Sequence, residues 1–269
     1  MAGEKILETP LSAAFSVGYE AVRKIPAENI ALWCLKIYYG IRFKEHILPH
    51  DRRKPVGRRI TNRKEIDELD LLFLVMQGIR RTIKYPTSEP WTMWLYKIKV
   101  PSKIDEQFSF SDITGLTMFS IRIADIGIVI MPRDFSLVKK SGYANFFDYL
   151  TDKELHPQQL NEVAARAAYL DAIREIGVSY AIDFNDPVQV LWAGSMANRP
   201  WREWNPDDYS KLLAFITKIP YVVWRPRQTL QWSLIYDDND QFMDVPLSKV
   251  PSICYGDESW DTSLQDSDV

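Results

Sequence analysis

The sequence predicts an α+β fold, an antiparallel meandering sheet packed with several amphipathic helices, and three observations carry that prediction. Apolar side chains recur at helical spacing before residue 85 and again after residue 157. Between residues 93 and 130 the period drops from 3.6 to 2, the alternation of strands. No gap between those strands is long enough for a helical crossover, which leaves antiparallel pairing.

The elements follow in order. Ile30, Trp33, Cys34, Ile37, Tyr38 and Ile41 mark one buried face of a helix over 28–45, and Pro49 stops it. Pro55 and Gly57 favour an exposed, mobile loop over 51–61. Asn62 with Glu65 forms a capping box for a helix over 63–84, whose stripe is Ile66, Leu69, Phe73, Met76, Ile79 and Ile83. Strands are expected at Met93–Val100, at Phe108–Phe110 and through Phe119, Ile121 and Ile123, which alternate with Ser120 and Arg122. The phase then flips to Ile126, Ile128 and Ile130, as a bulge or a tight turn near Gly127 requires.

Pro157 suits the first turn of a helix striped by Leu160, Val163, Ala164, Ala167 and Leu170, with Gly177 as its stop. A further helix begins after Asn205, where Pro206, Asp207 and Asp208 make a favourable first turn. Leu230, Trp232, Leu234 and Tyr236 alternate like a strand, and Asp237 to Asp240 supply the turn that follows. Residues 1–140 are expected to form a helical part with antiparallel strands and the basic loop, and 141–251 an α+β part, separate from the first or continuous with it. Residues 252–269 form an acidic tail, expected to be disordered.

Composition bounds the function. With 269 residues, 46% hydrophobic and 13% aromatic, the chain can fill a core. Its longest apolar runs, Leu71–Met76 and Ile126–Met131, fall far below the roughly 20 residues that cross a bilayer, so no membrane association is expected. Met1 to Lys5 does not open a secretory signal, and Cys34 and Cys254 are too few for a disulfide framework. A reducing, cytoplasmic compartment is the expectation, with Cys34 a buried small hydrophobe.

The net charge of −3 hides a polarised chain. Between Arg42 and Lys64, nine cations face only Glu45 and Asp51, whereas from Asp237 onward nine carboxylates face Lys249 alone. Clustered cations attract phosphate backbones and acidic surfaces without demanding exact geometry. Arg52, Arg53, Lys54, Arg58, Arg59, Arg63 and Lys64 are therefore the candidate nucleic-acid contacts. Because no Trp or Tyr interleaves them, contact should be to the backbone and should weaken with salt. The alternative is a solvated loop, or one paired with the acidic tail.

Nine tryptophans include the spaced pairs Trp91 with Trp94, Trp201 with Trp204, and Trp224 with Trp232. Indoles at element edges ordinarily close a core; exposed, Trp201 and Trp204 would form a partner surface, to which Trp260 in the tail could add. Catalytic signatures are weak. His46 and His50 stand four apart as zinc ligands on a helix could, but Pro49 interrupts them and no third ligand is near, so no metal and no cofactor is predicted. His156 reads as a helix-start residue. A restriction-type nuclease could recruit Asp112 or Asp125, but the Glu-x-Lys that should accompany them is missing. The acidic run Asp237 to Asp244 lacks the glycine and glutamate of a calcium loop, and a solvated turn is the stronger reading. No nucleophile elbow, phosphate-binding loop or dinucleotide fingerprint is present.

Leu32-Trp33-Cys34-Leu35-Lys36-Ile37-Tyr38-Tyr39-Gly40, followed by Lys44-Glu45 and Leu48-Pro49-His50-Asp51-Arg52, resembles the region after the zinc or HNH cassette in uncharacterised bacterial HNH-type nuclease proteins. Ser120-Ile121-Arg122-Ile123-Ala124-Asp125-Ile126-Gly127-Ile128 is similar to a sheet segment of the same proteins. The paired cysteines and the His–Asn–His set of that family have no counterpart, so no nuclease residue carries over. What the resemblance implies is an accessory, non-catalytic body acting in phage or mobile-element conflict. Together these readings predict a binding protein that contacts nucleic acid or an acidic partner through the basic loop. The alternatives are a divergent metal-dependent nuclease and a toxin-neutralising or complex-forming protein.

Overall fold

The computed structural model describes residues 2–47, 91–113, 118–132, 134, 137–175, 178–182, 190–194, 201–221, 233–237 and 239–247. The basic segment Arg52 to Lys64, the helix expected over 63–84, Trp224, Trp232, Cys254 and the tail with Trp260 lie outside the described residues.

Among the described residues three helices come first: α1 (Ala2–Val17), α2 (Tyr19–Val22) and α3 (Ala27–Ile47). Four strands follow, β1 (Thr92–Ile98), β2 (Phe108–Ile113), β3 (Met118–Ile123) and β4 (Ile126–Met131), with a 3-10 turn at Ile104–Glu106. Then come α4 (Ala144–Leu150), β5 (Glu154–Leu155), α5 (Pro157–Ala172), the hairpin of β6 (Val178–Ile182) and β7 (Val190–Gly194), and α6 (Pro206–Thr217). The class is α+β as the sequence predicts.

The main sheet runs β2-β3-β4-β1-β5. Its first four strands pair antiparallel, while the two-residue β5 joins β1 in parallel. The phase flip after Ile123 is a two-residue hairpin turn at Ala124 and Asp125, earlier than the expected position near Gly127, which is paired within β4: Ile123 pairs with Ile126, and Ala124 takes a left-handed φ of 50°.

Both faces of the strands β1, β3 and β4 are covered, while edge strand β2 leaves Phe108 and Phe110 exposed. Trp94, Tyr96, Ile98, Val129 and Met131 point into one cluster with α4, α5 and α6. Met93, Phe119, Ile121, Ile126, Ile128 and Ile130 point into the other, with α1, α2 and α3. That explains why Ile126–Met131 is apolar without alternation and buried throughout: a strand covered on both faces has no solvent side. It also explains why Ser120 and Arg122, placed by period on a polar face, are buried. Gly127 is closely overlaid, since a Cβ there would lie 2.7 Å from Ile98 of β1 and 3.0 Å from Leu160 of α5.

Cys34 is fully buried as a small hydrophobe on α3. Helix α5 buries all five residues of its expected stripe but ends at Ala172, short of the expected Gly177 stop. The expected strand through Leu234 and Tyr236 is a correction. Ser233 Oγ accepts the amides of Ile235 and Tyr236, while Glu162 on α5 takes Ser233 Oγ and the amide of Leu234, both at 2.6 Å. Local side-chain bonds of this kind compete with a ladder, and Leu234 and Ile235 are both buried where a strand would alternate. Among the described residues of this stretch one bridge, Tyr236 with Phe242, is present; Leu230 and Trp232 lie outside them.

Candidate functional site: an arginine among aromatic rings

Three segments converge on one pocket. Tyr143, Phe146 and Phe147 come from the start of α4, Arg166 and Leu170 from one face of α5, and Trp204 from the loop before α6. The cavity is about 310 Å³.

Each wall is fixed by its own chemistry. Phe147 stacks on Trp94 at 4.2 Å between ring centres, and Trp94 Nε1 donates to Asp148, which holds α4 against β1. The loop carrying Trp204 is fastened to the carboxyl end of α5, where helix carbonyls lack partners. Arg202 satisfies two of them, its amide bonding Ile173 O and its guanidinium Ala172 O, each at 2.8 Å. Tyr169 then clamps Asn205: its hydroxyl donates to Asn205 O at 3.0 Å and accepts from Asn205 N at 3.1 Å. Asn205 in turn caps α6, its side-chain oxygen accepting from the amides of Asp207 and Asp208. Trp204 is thus held beside Tyr169 and Tyr209, at 4.6 and 4.7 Å between ring centres.

Arg166 is the polar centre. Its guanidinium carbon lies 3.9 Å over Phe146, 5.6 Å from Trp204 and 5.8 Å from Tyr209, a set of cation–π contacts. Among the described residues no carboxylate lies within 4.0 Å of it, and its Nε is buried without a hydrogen-bond partner. Burial works against the charge, but Tyr209 and Glu162 outweigh it, and the guanidinium stays firmly protonated. Glu162, one turn earlier on α5, is fully buried and already engaged by Ser233 and Leu234; burial raises its pKa, opposed by those bonds. The Tyr209 hydroxyl feels the guanidinium charge but makes no well-formed hydrogen bond, and burial pushes its pKa up. Trp201 Nε1 is likewise buried without a partner, behind Tyr143, whose ring it meets edge-on at 5.4 Å. A buried charge normally demands a partner, so this group of donors is set to receive an acceptor.

Of the residues singled out from sequence, Trp201 and Trp204 are half-buried and pack against the core, Trp204 also lining the pocket. The seven basic positions from Arg52 to Lys64, and Trp260, lie outside the described residues. His50 does too, while His46 stands near the end of α3. His156 is the helix-start residue expected: its Nδ1 accepts the amide of Gln158, and Gln159 returns a bond to its backbone, closing a capping box. Asp125 caps α2, taking the amide of Tyr19 on both oxygens. Asp237 is absorbed by a turn, accepting from Asn239 and Gln241, and Asp244 pairs with Lys99. No group of three or more His, Cys, Asp or Glu among the described residues is placed to hold a metal ion. None of their helices is long and apolar enough to cross a membrane.

Sequence reasoning missed Arg166. Set in an alanine-rich run four residues after Glu162, it reads as half of an exposed helix pair. The adjacent Phe146-Phe147 and the Trp201–Trp204 pair were the available signals that a ring-lined surface existed. Comparison of the chain with protein-family models, with curated proteins and with solved structures finds no match in any of the three.

Proposed function

We propose that this chain is an accessory binding protein for anionic partners, with the Arg166 pocket as a recognition site. The observation that carries the reading is a guanidinium stacked on Phe146 in an open aromatic pocket with no carboxylate in ion-pairing range among the described residues. Binding fits better than catalysis because Asp125 and His156, the residues that acid–base or metal chemistry could recruit, are engaged in capping helices. The test is calorimetric titration of wild type and Arg166→Met with inorganic phosphate, an acidic peptide, single-stranded RNA and simple carboxylates at fixed salt. At least one should bind wild type and lose about tenfold or more in the variant, the share of one charge-assisted hydrogen bond. Equal binding of every probe by both proteins contradicts the reading.

A second site is favoured by one specific observation, the nine cations against two anions between Arg42 and Lys64. We infer that Arg52, Arg53, Lys54, Arg58, Arg59, Arg63 and Lys64 contact a nucleic-acid backbone or an acidic protein surface. Cytoplasmic residence, a bacterial source and a part in phage or mobile-element conflict belong to this reading and rest on the HNH-type resemblance and the cysteine count. Neutralising Arg52, Arg53, Arg58 and Arg59 together should abolish DNA and RNA binding and flatten its salt dependence. Unchanged binding, or none by either protein, removes the nucleic-acid reading.

A further inference from the structure

The geometry points to the ligand class of the Arg166 pocket: a single planar ring bearing one carboxylate, an aromatic monocarboxylic acid. This rests on the anion-binding reading above and narrows it. The walls are ring faces and edges from Tyr143, Phe146, Phe147 and Trp204, surfaces that favour a flat apolar ligand. At about 310 Å³ the space stands at the small end of ligand pockets, suited to one ring system and too small for a dinucleotide.

The polar groups point to the same chemistry. Arg166 is the lining residue with a buried polar atom lacking a hydrogen-bond partner, its Nε–H, and outside the lining the Tyr209 hydroxyl and the Trp201 Nε1–H are unpartnered too; all three can donate. A ligand rich in donors would leave them unmatched, whereas a carboxylate accepts. With its face on Phe146, the guanidinium keeps its N–H edge for in-plane bonds, the geometry in which arginine grips a carboxylate.

Charge favours one negative unit over two. Arg166 is the one cationic residue among those lining the pocket, Glu162 lies buried one turn away, and Leu170 stands near the carboxyl end of α5, where the helix dipole is negative. A phosphate dianion would meet repulsion from both.

The experiment titrates the full chain with benzoate, 4-hydroxybenzoate and indole-3-acetate, with the primary amide of each, and with phenyl phosphate, acetate and inorganic phosphate. At least one ring carboxylate should bind wild type about ten times or more tightly than its amide, the factor that about 1.4 kcal/mol of differential hydrogen bonding supplies. Arg166→Met should erase that preference, whereas Trp204→Leu should weaken acid and amide alike. Should Arg166→Met fail to fold, Arg166→Lys keeps the charge without the planar fork and should lose most of the preference. Acids binding no better than amides, or no ring carboxylate binding at all, overturns the proposal. If phenyl phosphate or inorganic phosphate binds through Arg166 while the ring carboxylates do not, the ligand class falls and the anion-binding reading survives. If no anion depends on Arg166, both fall.

Discussion

Asp125 receives the backbone amide of Tyr19 on both carboxylate oxygens, at 3.1 and 3.0 Å, across 106 residues of sequence. The bond ties the β3–β4 turn to the start of α2 and gives that helix a cap its preceding residue cannot supply, because Gly18 has no side chain. Gly18 is also required there, since its φ of 116° is unfavourable for any side chain and a Cβ would lie 2.9 Å from an Asp125 oxygen. Asp125→Ala should lower unfolding free energy by about 1 kcal/mol, the usual value of a cap. Gly18→Ala should cost more, and both losses are readable by urea denaturation. A tolerated Gly18→Ala contradicts the assigned contact.

Asp134 binds three separate segments. Fully buried, it accepts from Thr92 Oγ1 on β1, from the amide of Val138 at 2.9 Å, and pairs with Arg174 beyond α5 at 3.3 Å. Arg174 keeps its pair with Asp171, but Asp134→Ala leaves Thr92 Oγ1 and the Val138 amide unserved in the core and should destabilise by about 2 to 4 kcal/mol. Thermal unfolding with Thr92→Val alongside it tests this, the threonine change expected to cost about 1 kcal/mol.

His156 should make stability depend on pH. Burial first, then the charges of Lys99 and Arg122, hold its pKa down to about 4 against an ordinary 6.5. Below pH 6.5 the unfolded chain takes up a proton that the folded one refuses until about pH 4. His156 therefore contributes stability that is complete above pH 6.5 and is lost as pH falls toward 4. His156→Asn keeps a helix cap without the titration, so its unfolding midpoint should fall less steeply over that window. Glu162, whose pKa is raised by burial, acts with the opposite sign but is present in both proteins, and the difference between them isolates His156. Parallel curves contradict the assignment.

Tyr169→Phe removes both hydroxyl bonds to Asn205 and with them the clamp that aims Trp204. A stability loss of about 1 to 2 kcal/mol is expected, since two ordinary hydrogen bonds vanish. Ligand affinity at the pocket should fall with it, measured by quenching of tryptophan fluorescence. Lost stability with unchanged affinity would separate the clamp from the site.

The fold was legible where one pattern decides a surface. Ile30, Cys34 and Tyr38, or Leu160, Val163 and Ala167, name a buried helical face by spacing alone. The β3–β4 hairpin shows itself in the phase change from Ile123 to Ile126. Legibility failed where a distant group settles local structure. Nothing near Leu234 announces that Glu162 and Gln159 of α5 will take its amide and carbonyl and replace a strand with a turn. Strand β5 is two residues long and carries no period to read. Likewise the rings at Trp201 and Trp204 mark an edge in the sequence, but only folding brings Phe146 under Arg166 and makes a charged residue on an alanine-rich helix the centre of a pocket.

The side-chain Nε–Hε resonance of Arg166, identified by its loss in Arg166→Lys, reports on the claimed receptor atom directly. On titration with an acid that binds the wild-type chain, this resonance should move downfield in step with occupancy, as its proton enters a charge-assisted hydrogen bond. Saturating binding that leaves it in place would put the anion elsewhere and contradict the assignment of Arg166 as its receptor.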